Sequence, residues 1–182
     1  MAPYWHSYTY DKAGNRLTET LHDTTGDPTQ DTDRTYAYPE PGQPQPHTLT
    51  SVTNEGPAGT SQDTYGYDAS GNTTTRRVAG DTQQLTWDAE GHLAEVVKTA
   101  EGGEDKVTEY VYDAEGNRLI ARTPTETTLY LGHTEVVLPN GSDTPKATRY
   151  VPLGGGHQAV LSDDGSWSIT IADHHGTGQL VL

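Results

Sequence analysis

One pattern recurs through the first two thirds of the chain and limits what it can fold into. An aromatic residue, any residue, a second aromatic, then Asp-x-x-Gly-Asn appears as Tyr8-Thr9-Tyr10-Asp11-Lys12-Ala13-Gly14-Asn15-Arg16-Leu17. It returns as Tyr65-Gly66-Tyr67-Asp68-Ala69-Ser70-Gly71-Asn72, and as Tyr110-Val111-Tyr112-Asp113-Ala114-Glu115-Gly116-Asn117-Arg118-Leu119. A weaker copy is Leu85-Thr86-Trp87-Asp88-Ala89-Glu90-Gly91-His92-Leu93. An aromatic followed by Asp and then Gly at this spacing should arise by chance ~0.1 times in such a length, so four copies are a true repeat.

The chemistry of the pattern is that of a β-hairpin. Tyr8 and Tyr10 are two residues apart, so in a strand they share a face. Asp11 can open a type I turn by accepting a backbone N–H. Gly14 can then adopt the left-handed backbone that closes a bulged hairpin. Leu17, on the returning strand, can cover the rings. Gly71, Gly91 and Gly116 should act as Gly14 does, and Val at any of them should cost ~1–3 kcal/mol of local strain.

A degenerate unit lies between the first two copies. Thr35-Tyr36-Ala37-Tyr38 supplies the strand, Pro39-Glu40-Pro41-Gly42 replaces the Asp turn, and Thr48-Leu49-Thr50-Ser51-Val52 returns. The expected repeat units lie near residues 8–17, 36–52, 65–75, 85–97 and 110–122, within a repeat region of residues 1–122. The intervening residues 23–33, 54–63 and 101–105 are rich in Thr, Asp and Gly and read as exposed loops.

Residues 123–182 change style. Leu129-Tyr130-Leu131-Gly132 leads to Glu135-Val136-Val137-Leu138, and Pro139-Asn140-Gly141-Ser142 suggests a type I′ hairpin turn. Strand-like segments around Tyr150, Val160 and Ile169 follow, separated by Gly154-Gly155-Gly156 and by Asp163-Asp164-Gly165. No stretch has helical apolar periodicity.

Composition agrees with a β-rich chain but carries a warning. Leu, Ile, Val and Phe make up about 15% of the 182 residues and the net charge is -15, values that border on disorder. The 11 Tyr and 3 Trp argue against disorder, and they point to a core built largely of aromatic rings packed on neighbouring hairpins. No apolar run approaches the ~20 residues needed to span a bilayer, and no signal peptide opens the chain. The 11 basic residues are scattered, with Arg76-Arg77 the only adjacent pair, so no positive stripe exists for nucleic acid. The absence of Cys excludes disulfides and thiolate metal sites. The start close to a strand and the apolar Gln179-Leu180-Val181-Leu182 are what a piece of a larger protein would show.

The Tyr-x-Tyr-Asp-x-x-Gly-Asn-Arg-Leu units resemble the YD repeats of the Rhs family, which includes bacterial polymorphic toxins, insecticidal toxin-complex components and teneurins. The resemblance covers nearly the whole chain. Thr128-Leu129-Tyr130-Leu131-Gly132 followed by Glu135-Val136, then Thr148-Arg149-Tyr150, is similar to the final stretch of an Rhs shell. Asp173-His174-His175-Gly176-Thr177 is similar to the segment just upstream of the Rhs-associated core.

What the resemblance implies is an all-β chain of consecutive antiparallel hairpins forming a curved extended sheet, a segment of a β-shell. In the family such a shell encloses a C-terminal toxin domain. The implied partners are the remainder of the shell and its toxin cargo. The implied location is secreted or cell-surface. Residues 123–182 would be terminal shell strands preceding the core. Neither an Asp-Pro-x-x-Gly-Leu cleavage motif nor a Tyr-Asp-Pro-x-x-Gly-Arg-Phe segment is present, so no protease or toxin activity carries over. The shell role falls on Tyr8, Tyr10, Asp11, Gly14, Asn15, Tyr65, Tyr67, Asp68, Gly71, Asn72, Trp87, Asp88, Gly91, Tyr110, Tyr112, Asp113, Gly116 and Asn117. The segment before the core contributes Asp173, His174, Gly176 and Thr177.

Other chemistry is weaker. Asp173-His174-His175 offers two imidazoles and a carboxylate, but neighbours in a strand face opposite ways, which does not suit one zinc. The motif Asp supplies one carboxylate per turn, too few for calcium. There is no Gly-x-Ser-x-Gly elbow and no Gly-x-Gly-x-x-Gly. The expectation is a non-enzymatic protein without cofactor or catalytic residue. The competing expectation is a carbohydrate- or cell-surface-binding module, in which exposed rings such as Trp87 stack on sugars.

Overall fold

The computed structural model describes residues 4–99 and 102–182. It is all-β apart from one 3-10 turn, Pro28–Gln30, with no helix long and apolar enough to cross a membrane among the described residues. The described residues form two compact units, one drawn from 4–87, 96–99 and 102–105, the other from 88–95 and 106–182.

The first unit holds β1 (His6–Tyr10), β2 (Arg16–Leu21), β3 (Thr32–Ala37), β4 (Ser51–Gly56), β5 (Gly59–Tyr67), β6 (Thr73–Val78) and β7 (Asp81–Trp87). Each pairs antiparallel with the next. β8 (Leu93–Thr99) is divided between the units. The second unit holds β9 (Asp105–Tyr112), β10 (Arg118–Arg122), β11 (Glu126–Leu131), β12 (Thr134–Pro139), β13 (Lys146–Gly154), β14 (His157–Ser162), β15 (Trp167–Ala172) and β16 (Gly178–Val181). From β9 onward each again pairs antiparallel with the next. Consecutive antiparallel hairpins in chain order are therefore what the repeat builds.

The strands form for the reason the repeat suggests. β3 alternates strictly, with Thr32, Arg34 and Tyr36 half-buried and Asp33, Thr35 and Ala37 exposed, the period-two signature of a pleated strand. The expected aromatic core is not found. Among the described residues no large side chain is fully buried, and the buried positions are Val52, Ala121, Ala172, Glu19 and Thr128. The rings lie in half-buried rows instead. A single sheet layer covers a ring with its neighbours in the row and across the strands, and nothing described packs on top of it.

Three local expectations are corrected. Residues 54–63 are not a loop: β4 and β5 form a tight hairpin in which Gly56 opposes Gly59 across Pro57 and Ala58. Thr53, Thr60 and the backbone ladder carry the strands, since Thr favours a pleated strand, and Pro at the second position of a turn starts the reversal. Asn140-Gly141 is not a type I′ turn. Only Gly141 has positive φ, at +78°, and the Ser142 N–H donates to the Pro139 carbonyl at 3.0 Å, which describes a type II turn. β13 begins only at Lys146, so this connection is longer than a two-residue hairpin. His174 and His175 lie in a turn between β15 and β16, not in a strand, so the opposite-face argument against zinc does not apply to them.

Candidate functional site

The repeated element is the Asp turn, and its geometry is the same in every copy. In the first, the Asp11 N–H donates to the Asn15 carbonyl at 2.9 Å and the Gly14 N–H to the Asp11 carbonyl at 3.2 Å. Asp11 Oδ1 accepts the N–H groups of Ala13 and Asn15, both at 2.8 Å. Asn15 Nδ2 donates to Oδ2 at 2.8 Å. One carboxylate thus satisfies three donors that the reversal would otherwise leave to water. Gly14 takes φ +90°, and the register slips between Thr9 and Tyr10, the bulge expected of such a turn.

Asp68 with Asn72 and Asp113 with Asn117 repeat these bonds. At Asp88 the fifth residue is His92, whose Nδ1 lies 3.2 Å from Oδ2 and stands in for the amide. The Asp173 turn is the same object: Asp173 Oδ1 accepts from His175 and Thr177, and Gly176 has φ +81°. Gln179 Nε2 reaches Oδ2 at 3.1 Å in place of the amide. A fifth copy therefore closes β15–β16. No aromatic pair precedes it, so its signal in the sequence is the Asp-x-x-Gly spacing alone.

Electrostatics follows from these bonds. The Asn72 amide, with N–H groups of the turn, holds Asp68 below the usual carboxylate range. The Asn117 backbone and side chain lower Asp113, and the His92 backbone lowers Asp88, each against some desolvation. Desolvation alone would raise Asp11, but the Asn15, Ala13 and Gly14 donors outweigh it and its pKa falls.

In three repeats the second aromatic ties its hairpin to the one before. The Tyr67 hydroxyl donates to the Leu49 carbonyl at 2.8 Å. The Trp87 indole N–H donates to the Thr73 carbonyl at 2.8 Å, and the Tyr112 hydroxyl to the Leu93 carbonyl at 2.9 Å. Each ring packs along the sheet while its polar tip fixes the spacing between repeats. The first aromatics serve the row itself: Tyr8 lies 6.4 Å from Tyr10, centroid to centroid, and Tyr110 lies under Arg118. Tyr65 is half-buried in β5. The group over the Tyr8 ring is Arg16, at 4.6 Å, while Leu17 stays exposed.

Two further ties were not legible in the sequence. In the loop between β3 and β4, His47 Nδ1 meets Asn15 Oδ1 at 2.8 Å and Gln45 Nε2 donates to the Asp68 carbonyl at 2.7 Å. This Pro-bounded loop bridges the first two Asp turns. Glu19, only 5% exposed, accepts from the Tyr36 hydroxyl at 2.7 Å and Arg34 at 3.1 Å, with His6 at 3.2 Å. Burial alone would raise its pKa, yet Tyr36 and Arg34 bring it down. Polar residues so far apart in the chain leave no periodic signal.

No metal-ligand group of three or more His, Cys, Asp or Glu occurs among the described residues. The geometry is that of a repeat joint, with no convergent chemistry in the Asp turns themselves.

No protein-family model matches this sequence. No curated protein matches it either. Solved structures do: the crystal structure of TcdB2-TccC3-Cdc42 aligns with 97% of this chain at 18% identity and a TM-score of 0.55. The crystal structure of TcdB2-TccC3 without the hypervariable C-terminal region aligns with 97% at 18% identity and a TM-score of 0.56. This chain spans 11% of each of those chains. At such identity the likeness shows the fold, a run of consecutive antiparallel hairpins.

Proposed function

We propose that this chain is a structural segment of an Rhs/YD-repeat shell, one that encapsulates a C-terminal toxin domain in a secreted or surface-presented polymorphic toxin. The observation that carries the reading is the alignment of 97% of the chain with a TcdB2-TccC3 chain about nine times its length. The Asp turns and ring-to-carbonyl bonds support it, because they make each hairpin a template for the next. The role is mechanical, a wall that separates a cargo from its surroundings, and no step of it calls on a catalytic group. An acidic wall would also favour a basic cargo.

Limited proteolysis of the longer protein carrying this segment tests the proposal. A domain downstream of it should resist cleavage while the wall is intact. It should become sensitive when Gly71→Val and Gly116→Val open two Asp turns. Equal cleavage rates in both proteins would refute encapsulation. The second reading, carbohydrate or cell-surface binding, rests on Trp167, which is 67% exposed, whereas Trp87 has its indole N–H bound to Thr73. Glycan binding lost in Trp167→Ala with an unchanged melt would favour it.

A further inference from the structure

On the sheet face opposite the Tyr8 row, the ends of β1 and β2 meet the loop that carries the 3-10 turn. Three side chains are joined there. The Ser7 hydroxyl lies 2.7 Å from His22 Nε2. His22 Nδ1 lies 2.9 Å from Asp31 Oδ2. Asp31 Oδ1 accepts the Asp23 backbone N–H at 2.8 Å, which fixes the carboxylate. The register brings them together: Ser7 opposes Thr20, so His22, two residues further on, is its diagonal neighbour on the same face.

The tautomer follows from the partners. An ionised Asp31 can only accept, so in the neutral imidazole Nδ1 carries the proton and Nε2 presents a lone pair. The Ser7 hydroxyl is then the donor. The Trp5 ring stacks on the imidazole at 4.3 Å and 28°, which sets its plane. His22 and Asp31 are largely shielded, with side chains 19% and 17% exposed, while Ser7 is open to solvent. A cavity of about 270 Å³ lined by Trp5, His22, Gly26, Pro28 and Asp31 adjoins the imidazole.

We propose that Ser7, His22 and Asp31 form an acyl-transfer site that hydrolyses carboxylic esters whose acyl or leaving group rests against Trp5 and Pro28. Ser7 Oγ bonds to the carbonyl carbon as its proton passes to His22 Nε2. The carbonyl electron pair moves onto oxygen. The carbonyl re-forms as the ester C–O bond breaks, and the leaving alkoxide takes the proton from Nε2. Water repeats the sequence on acyl-Ser7 and releases the acid. The Tyr8 N–H is placed to receive the oxyanion. His22 donates to the Trp5 carbonyl, so ladder alternation turns the His6 and Tyr8 N–H groups away from β2, and no strand pairs with that side of β1 among the described residues. Ser7 and His22 are the catalytic residues, and Asp31 is a positioning residue. The site is independent of the shell reading, and its failure would leave the wall untouched.

The test treats the 182-residue chain with a biotinylated fluorophosphonate and, separately, with 4-nitrophenyl acetate. In the first reaction the Oγ–P bond forms, fluoride leaves and His22 takes the proton. Peptide mapping should place the adduct on Ser7 alone. Ser7→Ala and His22→Gln should each lower ester turnover at least about 100-fold. Asp31→Asn would present an amide donor to Nδ1 and leave Nε2 protonated, so labelling should slow about 10-fold or more. Asp31→Glu should recover part of that rate, which a merely structural aspartate would not require. Ser7 is an exposed strand position, so the circular dichroism of Ser7→Ala should match the parent and its loss should be chemical. An adduct spread over several serines, turnover unchanged in Ser7→Ala, or labelling of His22→Gln at the parent rate would each overturn the proposal.

Discussion

In the unit that holds β1 to β7, the connections at the two ends of the strands are built differently. At one end lie the Asp turns at 11–15 and 68–72, with the loop of residues 38–50 between them. These are laterally tied, His47 to Asn15 and Gln45 to Asp68. At the other end lie a long loop with its 3-10 turn, the Pro57-Ala58 turn and the Ala79-Gly80 turn, each of a different kind. The repeat motif therefore governs one end of the hairpins and leaves the other free. Interlocked turns make the first end the part of the sheet that must repeat. The free end is where chemistry such as the Ser7–His22–Asp31 arrangement can arise without disturbing the repeat.

The largest effect should come from forcing a side chain into a motif turn that is already packed. At Gly116, φ is +81° and a Cβ would sit 2.9 Å from His92 Nε2. The His92 ring is in turn stacked on Tyr112 at 4.7 Å. Gly116→Val should cost about 3 kcal/mol, strain and overpacking together. At Gly71, with φ +89° and open space at the Cβ position, the cost should be about 1–2 kcal/mol. Urea denaturation of the two variants separates the terms, and His92→Ala should recover part of the Gly116→Val loss. Equal losses at both positions would mean the turns act independently of their neighbours.

Acid should act next, and on the motif turns in particular. The folded-state pKa values of Asp11, Asp68, Asp88 and Asp113 are lowered, so their turns bind fewer protons than the unfolded chain does. Their contribution is fully present above the ordinary carboxylate value of about 4 and is lost as pH falls through the lowered values. The melting temperature should be flat from about pH 7 to 5 and fall steeply below about 4. Asp68→Asn should lower the plateau and flatten part of that fall. An unaltered acid limb in the variant would show that the turn carboxylates do not set acid stability.

Much of the motif end was legible in the sequence because its determinants are local. Tyr8, Tyr10, Asp11 and Gly14 act within ten residues of one another, so periodicity and turn chemistry identify the hairpin. Asn15 was visible as part of the pattern, but its bond to the Asp11 carboxylate was not. The Pro57-Ala58 reversal was hidden because Thr60, Ser61 and Gln62 carry no apolar alternation. The Glu19 cluster joins residues on different strands and the Ser7–His22 pair joins a strand to the residue just past its neighbour, and only the register brings those together. The aromatic core was misjudged for a different reason. Composition counts rings, but whether a ring is buried depends on a second layer, about which composition is silent.

Weakening the lateral ties should have a smaller effect, confined to one end. Gln45 takes φ +56°, a strained value for a side chain of its kind, and its amide reaches the Asp68 carbonyl. Gln45→Gly relieves the backbone but removes the tie. It should leave stability within about 1 kcal/mol while speeding amide exchange in residues 39–48. Exchange unchanged across that loop would mean the proline-bounded segment is held by its own stiffness.

The smallest effect is expected at the free end, and its sign is opposite. Val78 opposes Asp81, so β6 and β7 are joined by Ala79 and Gly80 alone, with φ +52° and +87°. Both residues are left-handed, as a type I′ turn requires, and an alanine there carries a penalty of about 1–2 kcal/mol. The Ala79 N–H donates to Asp63 Oδ1 at 3.0 Å, which helps hold the strained residue in place. Glycine removes the Cβ conflict but widens the unfolded ensemble, so Ala79→Gly should stabilise by only about 0.5–1 kcal/mol. Asn, which tolerates the left-handed region and costs less entropy, should do at least as well. A rise in the urea midpoint at unchanged slope would show that this end has not been optimised for stability, as a region released from the repeat should not be. A fall would mean that Ala79 is held there by a contact worth more than its strain, and the contrast between the two ends would then be one of sequence rather than of energetics.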